Sequence, residues 1–242
     1  MDQGAHQAAQ SDAGQRIAFF GGSFDPPHLG HLAIARAAQE ALALDTVLFA
    51  PVGAQPLKPH GSTAAFAHRV AMTRLAIADE RGFALSLADA PQPSGEPNYA
   101  LETLLTLRIG LPPEGELYCL MGADSFAALR RWHHAAEIPF TAALIVASRP
   151  GESLQDLEAG LPMGLTMEAV PERGTINLQR YNLRDPAGNR APFYLLPNLE
   201  IEISASEIRR QIHASGQSAL LTAPVLEYIR VHGLYRDLPR SD

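Results

Sequence analysis

From Arg16 onward, short apolar runs alternate with longer stretches whose apolar positions recur at helical spacing. RIAFF (16–20) reads as a buried strand, PHLGHLAIARAAQEALA (27–43) as a helix, TVLFAP (46–51) as a strand and AAFAHRVAMTRLAIADE (64–80) as a second amphipathic helix. FALSLA (83–88) then predicts a strand, YALETLLTLRIG (99–110) a helix stopped by Gly110, and ELYCLMG (116–122) and TAALIVAS (141–148) further strands. A short helical stretch containing Trp132 is expected between the last two. Apolar strands separated by helices imply βαβ crossovers, and so an α/β fold whose parallel sheet is covered by helices on both faces. Such sheets bind ligands beyond the carboxyl ends of their strands, near the point where strand order reverses.

The connection from Arg149 to about Ala191 is rich in Gly, Pro and charge and exceeds the usual loop length inside a compact domain. It reads as an irregular flap with a strand near MEAV (167–170). FYLLP (193–197) and LEIEIS (199–204) predict strands, followed by a helix from about Ala205 and a last helix, APVLEYIRVHG (223–233), stopped by Gly233. No internal repeat is evident. Residues 1–15 are expected to form a disordered tail and 16–238 a single domain.

Composition narrows the choice of ligand. Over 242 residues the formal net charge is −7, which disfavours an extended surface for nucleic acid or anionic membrane, since those rely on clustered Lys and Arg. An anionic ligand must then be small and met locally. The single cysteine, Cys119, allows no intramolecular disulfide and lies among apolar neighbours, as a buried structural thiol would in a reducing compartment. No apolar run approaches the roughly 18 residues of a membrane span, and the first fifteen residues lack a signal peptide's basic start and apolar stretch. A soluble cytoplasmic protein is expected.

Candidate chemistry concentrates in FFGGSFDPPHLGHL (19–32). Gly21 and Gly22 follow a strand and permit a tight turn with close backbone approach to a ligand. Asp25 suits an N-cap and Pro26 the first helical position, which would put His28 in the first turn and His31 on the same face. Two imidazoles beside the free N–H groups of a helix start make a site for phosphate. Gly30 between them removes a side chain that would crowd it. Capping or packing histidines are the alternative on spacing alone. A metal pair would need a further ligand that no nearby Cys, Asp or Glu obviously supplies. The stretch is neither a Walker loop nor a dinucleotide fingerprint.

A second helix start is predicted in ISASEIRRQI (203–212). Ser204 with Glu207 fits a capping box, Ser206 falls in the first turn, and Arg209 one turn on can reach an anion held there. A plain Ser-capped surface helix is the competing reading.

Together, His28-Leu29-Gly30-His31 and Ile203-Ser204-Ala205-Ser206-Glu207-Ile208-Arg209 resemble the H-x-G-H and I-S-x-x-x-I-R marks of a nucleotidyltransferase superfamily. Within it the chain is similar to the bacterial nicotinate-nucleotide adenylyltransferases from about Arg16 to Tyr235, through AHRVAMTRLAI, NYALETL, MGADSFAALRRW, VASRPG and PVLEYIRVHGLY as well. The resemblance implies a Rossmann-like parallel sheet and transfer of the adenylyl group of ATP to nicotinate mononucleotide, giving deamido-NAD and pyrophosphate. It implies Mg²⁺ held mainly by ATP phosphates and water, with no dedicated metal ligands in the protein. Sister enzymes acting on nicotinamide mononucleotide or phosphopantetheine, or a non-catalytic nucleotide sensor, are the alternatives.

Carried over by position, the resemblance makes His28, His31 and Arg209 catalytic. Gly21, Gly22 and Ser23 would line the nucleotide phosphates, and Ser204, Ser206 and Arg209 would hold the β- and γ-phosphates. For the acceptor, Trp132 would stack on the nicotinate ring, Asn98, Tyr99 and Ala100 would meet its carboxylate, Asp124 would lie near a sugar, and Lys58 would sit on a flexible loop. The chain departs from the family pattern in having Leu57 before Lys58, Ala100 where a hydroxyl is usual, and Ser204-Ala205-Ser206 in place of Ser-Ser-Thr. His68, Arg69, Arg130, Arg131, His133 and His134 read as surface residues. Arg69 could instead support the phosphate loop, and His133 could instead frame the Trp132 pocket.

Overall fold

The computed structural model describes residues 14–57, 61–148, 154–170, 177–197, 199 and 203–236, with 154–156 as backbone only. Most of the expected tail, Lys58, and half of LEIEIS (200–202) lie outside the described residues. In chain order the elements are β1 (Arg16–Gly22), α1 (Leu29–Leu42), β2 (Thr46–Pro51), α2 (Phe66–Ala76), β3 (Phe83–Leu85), α3 (Ala100–Ile109), β4 (Glu116–Gly122) and α4 (Ala123–Leu129). A one-turn 3₁₀ helix (Ala135–Glu137) leads into α5 (Ile138–Thr141) and β5 (Ala143–Ala147). Then come α6 (Leu154–Gly160), β6 (Thr166–Ala169), β7 (Gln179–Arg184), β8 (Arg190–Leu196), α7 (Ala205–Ser215) and α8 (Ala223–Val231).

All eight strands form one sheet in the order β3-β2-β1-β4-β5-β8-β7-β6, parallel from β3 to β8 and antiparallel from β8 through β7 to β6. Successive residues of the central strands alternate between two cores, as a strand buried on both faces requires. Ala18, Phe20, Tyr118 and Leu120 pack with α1, α2, α7 and α8, whereas Phe19, Leu117, Cys119 and Met121 pack with α3, α4 and α5. The strand expected near MEAV is present as β6, and the irregular flap is corrected: α6 precedes β6, which pairs with β7 in an antiparallel hairpin that extends the sheet. Strands β6 and β7 lie at the edge with mixed exposure, so their sequences, TMEA and QRYNLR, lack the continuous apolar signal of the inner strands.

Strand order reverses between β1 and β4. Strand β1 pairs with β2 through to Gly22 opposite Pro51, but with β4 only as far as Phe19 opposite Cys119. Beyond that pair β1 and β4 are no longer registered together, and a crevice opens at their carboxyl ends. Gly21 and Gly22 therefore belong to the strand rather than to the turn after it. Trp132 likewise falls outside the predicted helix, on a turn after α4, where its N–H donates to the Leu129 carbonyl.

Candidate active site

Helix α1 begins at Leu29, later than the sequence suggests, with His28 as N-cap in an extended conformation. Asp25 and Pro26 are not its cap and first residue, and the peptide bond between them is cis. Asp25 is committed elsewhere: its carboxylate accepts the N–H groups of Thr63 (2.6 Å) and Ala64 (3.1 Å) and the Tyr235 hydroxyl (2.7 Å). These partners lie 38 to 210 residues away, out of reach of local pattern reasoning. Just before it, Phe24 adopts a left-handed backbone (φ 46°), uncommon for a bulky residue, and is buried against Phe20, Phe49 and His31.

Arg69 is also corrected. At 2% exposure it is no solvated helix residue: its guanidinium donates to the carbonyls of Ala64, Ser23 (2.7 Å) and Val52 (2.8 Å), tying α2 to the loops after β1 and β2. The alternative of phosphate-loop support describes it.

The His28 and His31 rings stack with centroids 3.6 Å apart. The His28 backbone N–H donates to His31 Nδ1 at 3.1 Å, so a neutral His31 carries its proton on Nε2. Burial lowers the His28 pKa to about 4, and burial followed by the neighbouring His28 pushes His31 well below the usual imidazole value. Both rings are neutral near pH 7 in the free protein. Among the described residues His28 Nδ1 is buried without a hydrogen-bond partner, a polar atom left over at the site.

Both rings face a polar cavity of about 670 Å³ that Ser23, Asp124, Ser204, Ser206 and Arg209 also line. Arg209 is fixed by bonds from its guanidinium to the Asp25 carbonyl (2.7 Å) and the Ser206 hydroxyl (3.1 Å). Ser204 is the N-cap of α7, but the expected capping box does not form: Glu207 instead pairs with Arg210 (2.5 Å) and accepts from Gln211. The serines thus keep their place at a helix start without sealing it.

A second cavity, about 580 Å³ and more apolar, fills the crevice between β1 and β4. Gly21 and Gly22 line this one rather than the first, while Ser23 and Asp124 line both, so the two cavities meet there. Asn98, Tyr99, Ala100 and Trp132 all lie on its wall. Asn98 is buried, its Oδ1 accepting from the Ala54 N–H (3.0 Å) and its Nδ2 donating to the Ala90 carbonyl (2.8 Å), so its side chain pins two loops together. That clasp needs glycine at 53, where a Cβ would come within 2.4 Å of the Pro91 nitrogen. Trp132 is partly buried, packed on the second core and open to the cavity.

Sequence reasoning missed two residues here and undervalued a third. His133 lines the cavity and lies 4.4 Å from the Tyr99 ring, whereas His134 pairs with Glu137 at the surface. Arg131, read as surface charge, is exposed but also on this wall. Asp89 lies on the wall too, and no motif marked it. Cys119 is buried, its thiol pushed up to about 12 by burial and then by Asp89, which suits a structural role.

Fold and site together define a Rossmann-like nucleotidyltransferase, with a polar cavity and an apolar cavity joined at the strand-order reversal. A cytidylyltransferase-like family model matches residues 19–211. A probable nicotinate-nucleotide adenylyltransferase of Gloeobacter violaceus is 38% identical, covering 93% of this chain and 98% of its own length; one from Stenotrophomonas maltophilia is 40% identical, covering 90% and 96%. The solved nicotinic acid mononucleotide adenylyltransferase of Plasmodium falciparum, complexed with NaAD, shares the fold with a TM-score of 0.65 at 16% identity, covering 92% of this chain and 98% of its own. The chain belongs to the cytidylyltransferase-like family and, within it, to the bacterial nicotinate-nucleotide adenylyltransferases.

Proposed function

We propose that the protein transfers the adenylyl group of ATP to nicotinate mononucleotide, releasing pyrophosphate and forming deamido-NAD, a step of NAD biosynthesis. The observation that carries this reading is the meeting of the two cavities at Ser23 and Asp124, one polar and beside two helix starts, the other apolar and walled by Trp132. The family named by the relatives supports the same chemistry.

In this reading the triphosphate occupies the polar cavity and the pyridine ring lies against Trp132. The mononucleotide's phosphate oxygen is already anionic, so it needs no general base. It attacks the α-phosphorus in line, a new O–P bond forms, and the bond to the β-phosphate oxygen breaks with its electron pair leaving on pyrophosphate. The Nε2–H of His31 and an N–H of His28 donate to phosphate oxygens as charge moves to the leaving group, and Arg209 with Ser204 and Ser206 neutralises and orients the β- and γ-phosphates. The chain's part is therefore positioning and charge stabilisation.

Mg²⁺ fits the site as an ion carried by the nucleotide. Asp25 is engaged with Thr63, Ala64 and Tyr235, and Asp124 is the other carboxylate among the residues that line the polar wall. Among the described residues no cluster of three or more His, Cys, Asp or Glu side chains is arranged to hold an ion. Bound there, the ion would supply neutralisation of the triphosphate. We assign the reaction to the cytoplasm, in keeping with a single, buried thiol. Among the described residues no helix is long and apolar enough to cross a membrane.

The test is pyrophosphate release with ATP, Mg²⁺ and, separately, nicotinate mononucleotide, nicotinamide mononucleotide and phosphopantetheine. Turnover is expected with the first at a kcat/KM well above the others. A preference for phosphopantetheine, or release with none, would refute the assignment.

A further inference from the structure

Asp89 is a carboxyl group that the phosphate chemistry leaves unused. It follows β3 on a loop held beneath the second cavity, its carbonyl accepting the Gly53 N–H at 2.7 Å. Only 5% of it is exposed, yet it lines the same wall as Asn98, Tyr99 and Ala100. One carboxyl oxygen, Oδ1, accepts the Thr103 hydroxyl at 3.0 Å. Among the described residues no hydrogen bond to the other carboxyl oxygen, Oδ2, is present.

We propose that Asp89 sets the choice between acid and amide acceptors: as the neutral acid it donates a hydrogen bond to the nicotinate carboxylate, and as the carboxylate it repels that group. The inference rests on the acceptor assignment made above. With Oδ1 held by Thr103, the proton is assigned to Oδ2, the oxygen that meets the ligand in this proposal. A neutral O–H beside an ionised carboxylate forms a strong charge-assisted bond, whereas two buried carboxylates in contact cannot both stay charged. A carboxamide is nearly indifferent, since its NH₂ donates to ionised Asp89 and its carbonyl accepts from the neutral form.

Burial raises the Asp89 pKa to about 6, partly offset by the Thr103 bond, so its titration falls within the working range of an enzyme. Asp89 meets Thr103 of α3 behind it, and among the described residues the other groups on this cavity's wall are Cys119 from β4, Tyr99 before α3, Asp124 on α4, and Arg131 and His133 after it. Of these side-chain types, imidazole is the other that ordinarily changes charge between pH 5 and 8. A protonated His133 would favour the acid with the same sign, so it is the necessary control.

The experiment is the ratio of kcat/KM for nicotinate over nicotinamide mononucleotide, measured from pH 5 to 8.5. Titration of the shared 5′-phosphate, of ATP and of His28 and His31 cancels in that ratio. Acid preference should fall at least tenfold as pH rises in the unmodified protein, become flat in Asp89→Asn, and still fall in His133→Asn. Independently, binding of the acid mononucleotide at pH 7 should take up more protons than binding of the amide, by up to one. A flat ratio in the unmodified protein, a fall that survives Asp89→Asn or vanishes in His133→Asn, or equal proton uptake overturns the proposal. Turnover with neither mononucleotide overturns the acceptor assignment and this inference with it.

Discussion

The two cavities are built in opposite ways. The polar one is assembled mainly from two segments, 23–31 and 203–209, completed by residues 61–63 and Asp124, and its walls are braced by buried polar bonds from Asp25, Arg69 and Arg209. The apolar one is a gap between diverging strands, lined by pieces of β1, the loop after β2, the start of α3, β4 and the turn after α4. Phosphate is a generic ligand that backbone N–H groups and one arginine can hold, so a short run of residues suffices. A pyridine ring with one distinguishing group needs shape from all sides, and shape is drawn from across the chain.

The comparison would break first at His31. Replacing it by Ala should cost about 3 kcal/mol in the chemical step, of the order seen when a preorganised donor to developing negative charge is lost, with little change in the KM of either substrate. Single-turnover rates beside steady-state KM values check this. Near-normal turnover would reduce the polar cavity to a passive container.

A smaller, complementary effect is expected at Trp132. Trp132→Ala should raise the KM for nicotinate mononucleotide by an amount equivalent to about 2 kcal/mol, the scale of aromatic stacking on a base, and leave the ATP KM unchanged. An ATP KM that rises in step would mean the two cavities are not separable.

A separate effect concerns stability of the free protein. His28 and His31 are held neutral when folded but protonate near the ordinary imidazole value when unfolded, so the unfolded chain binds more protons in that window. Stability should therefore fall as pH drops from about 6.5 towards 4, by ~1.4 kcal/mol per pH unit for each fully titrating ring. Asp89 acts in the opposite sense between about 4 and 6, because its folded form binds protons more readily. Two rings against one carboxyl leave a net loss. Urea unfolding at pH 5 and 7 would measure it, and His28→Ala should reduce the slope.

The same contrast explains what could be read from sequence. His28, His31, Ser204, Ser206 and Arg209 were legible because helix starts write their chemistry in neighbouring residues. The parallel core was legible from its continuous apolar strands. Asp25 was visible but misread as a cap, since its real partners, Thr63, Ala64 and Tyr235, are brought by folding. Asp89 in SLADAP carried no local sign at all, because its meaning comes from burial beside Thr103 and the acceptor wall. In the edge hairpin, β6 was expected from MEAV, whereas β7 was hidden by its exposed, mixed sequence.

The Asp25 contacts also bear on the order in which the molecule can be completed during synthesis. Tyr235 reaches back 210 residues to Asp25, and Arg209 reaches back 184. On the ribosome the strands that frame the acceptor crevice, β1 and β4, emerge within the first half of the chain and can pair early. The polar cavity has to wait for α7 and for the residues after α8, so a nascent chain can have the crevice between β1 and β4 formed well before the polar cavity is complete.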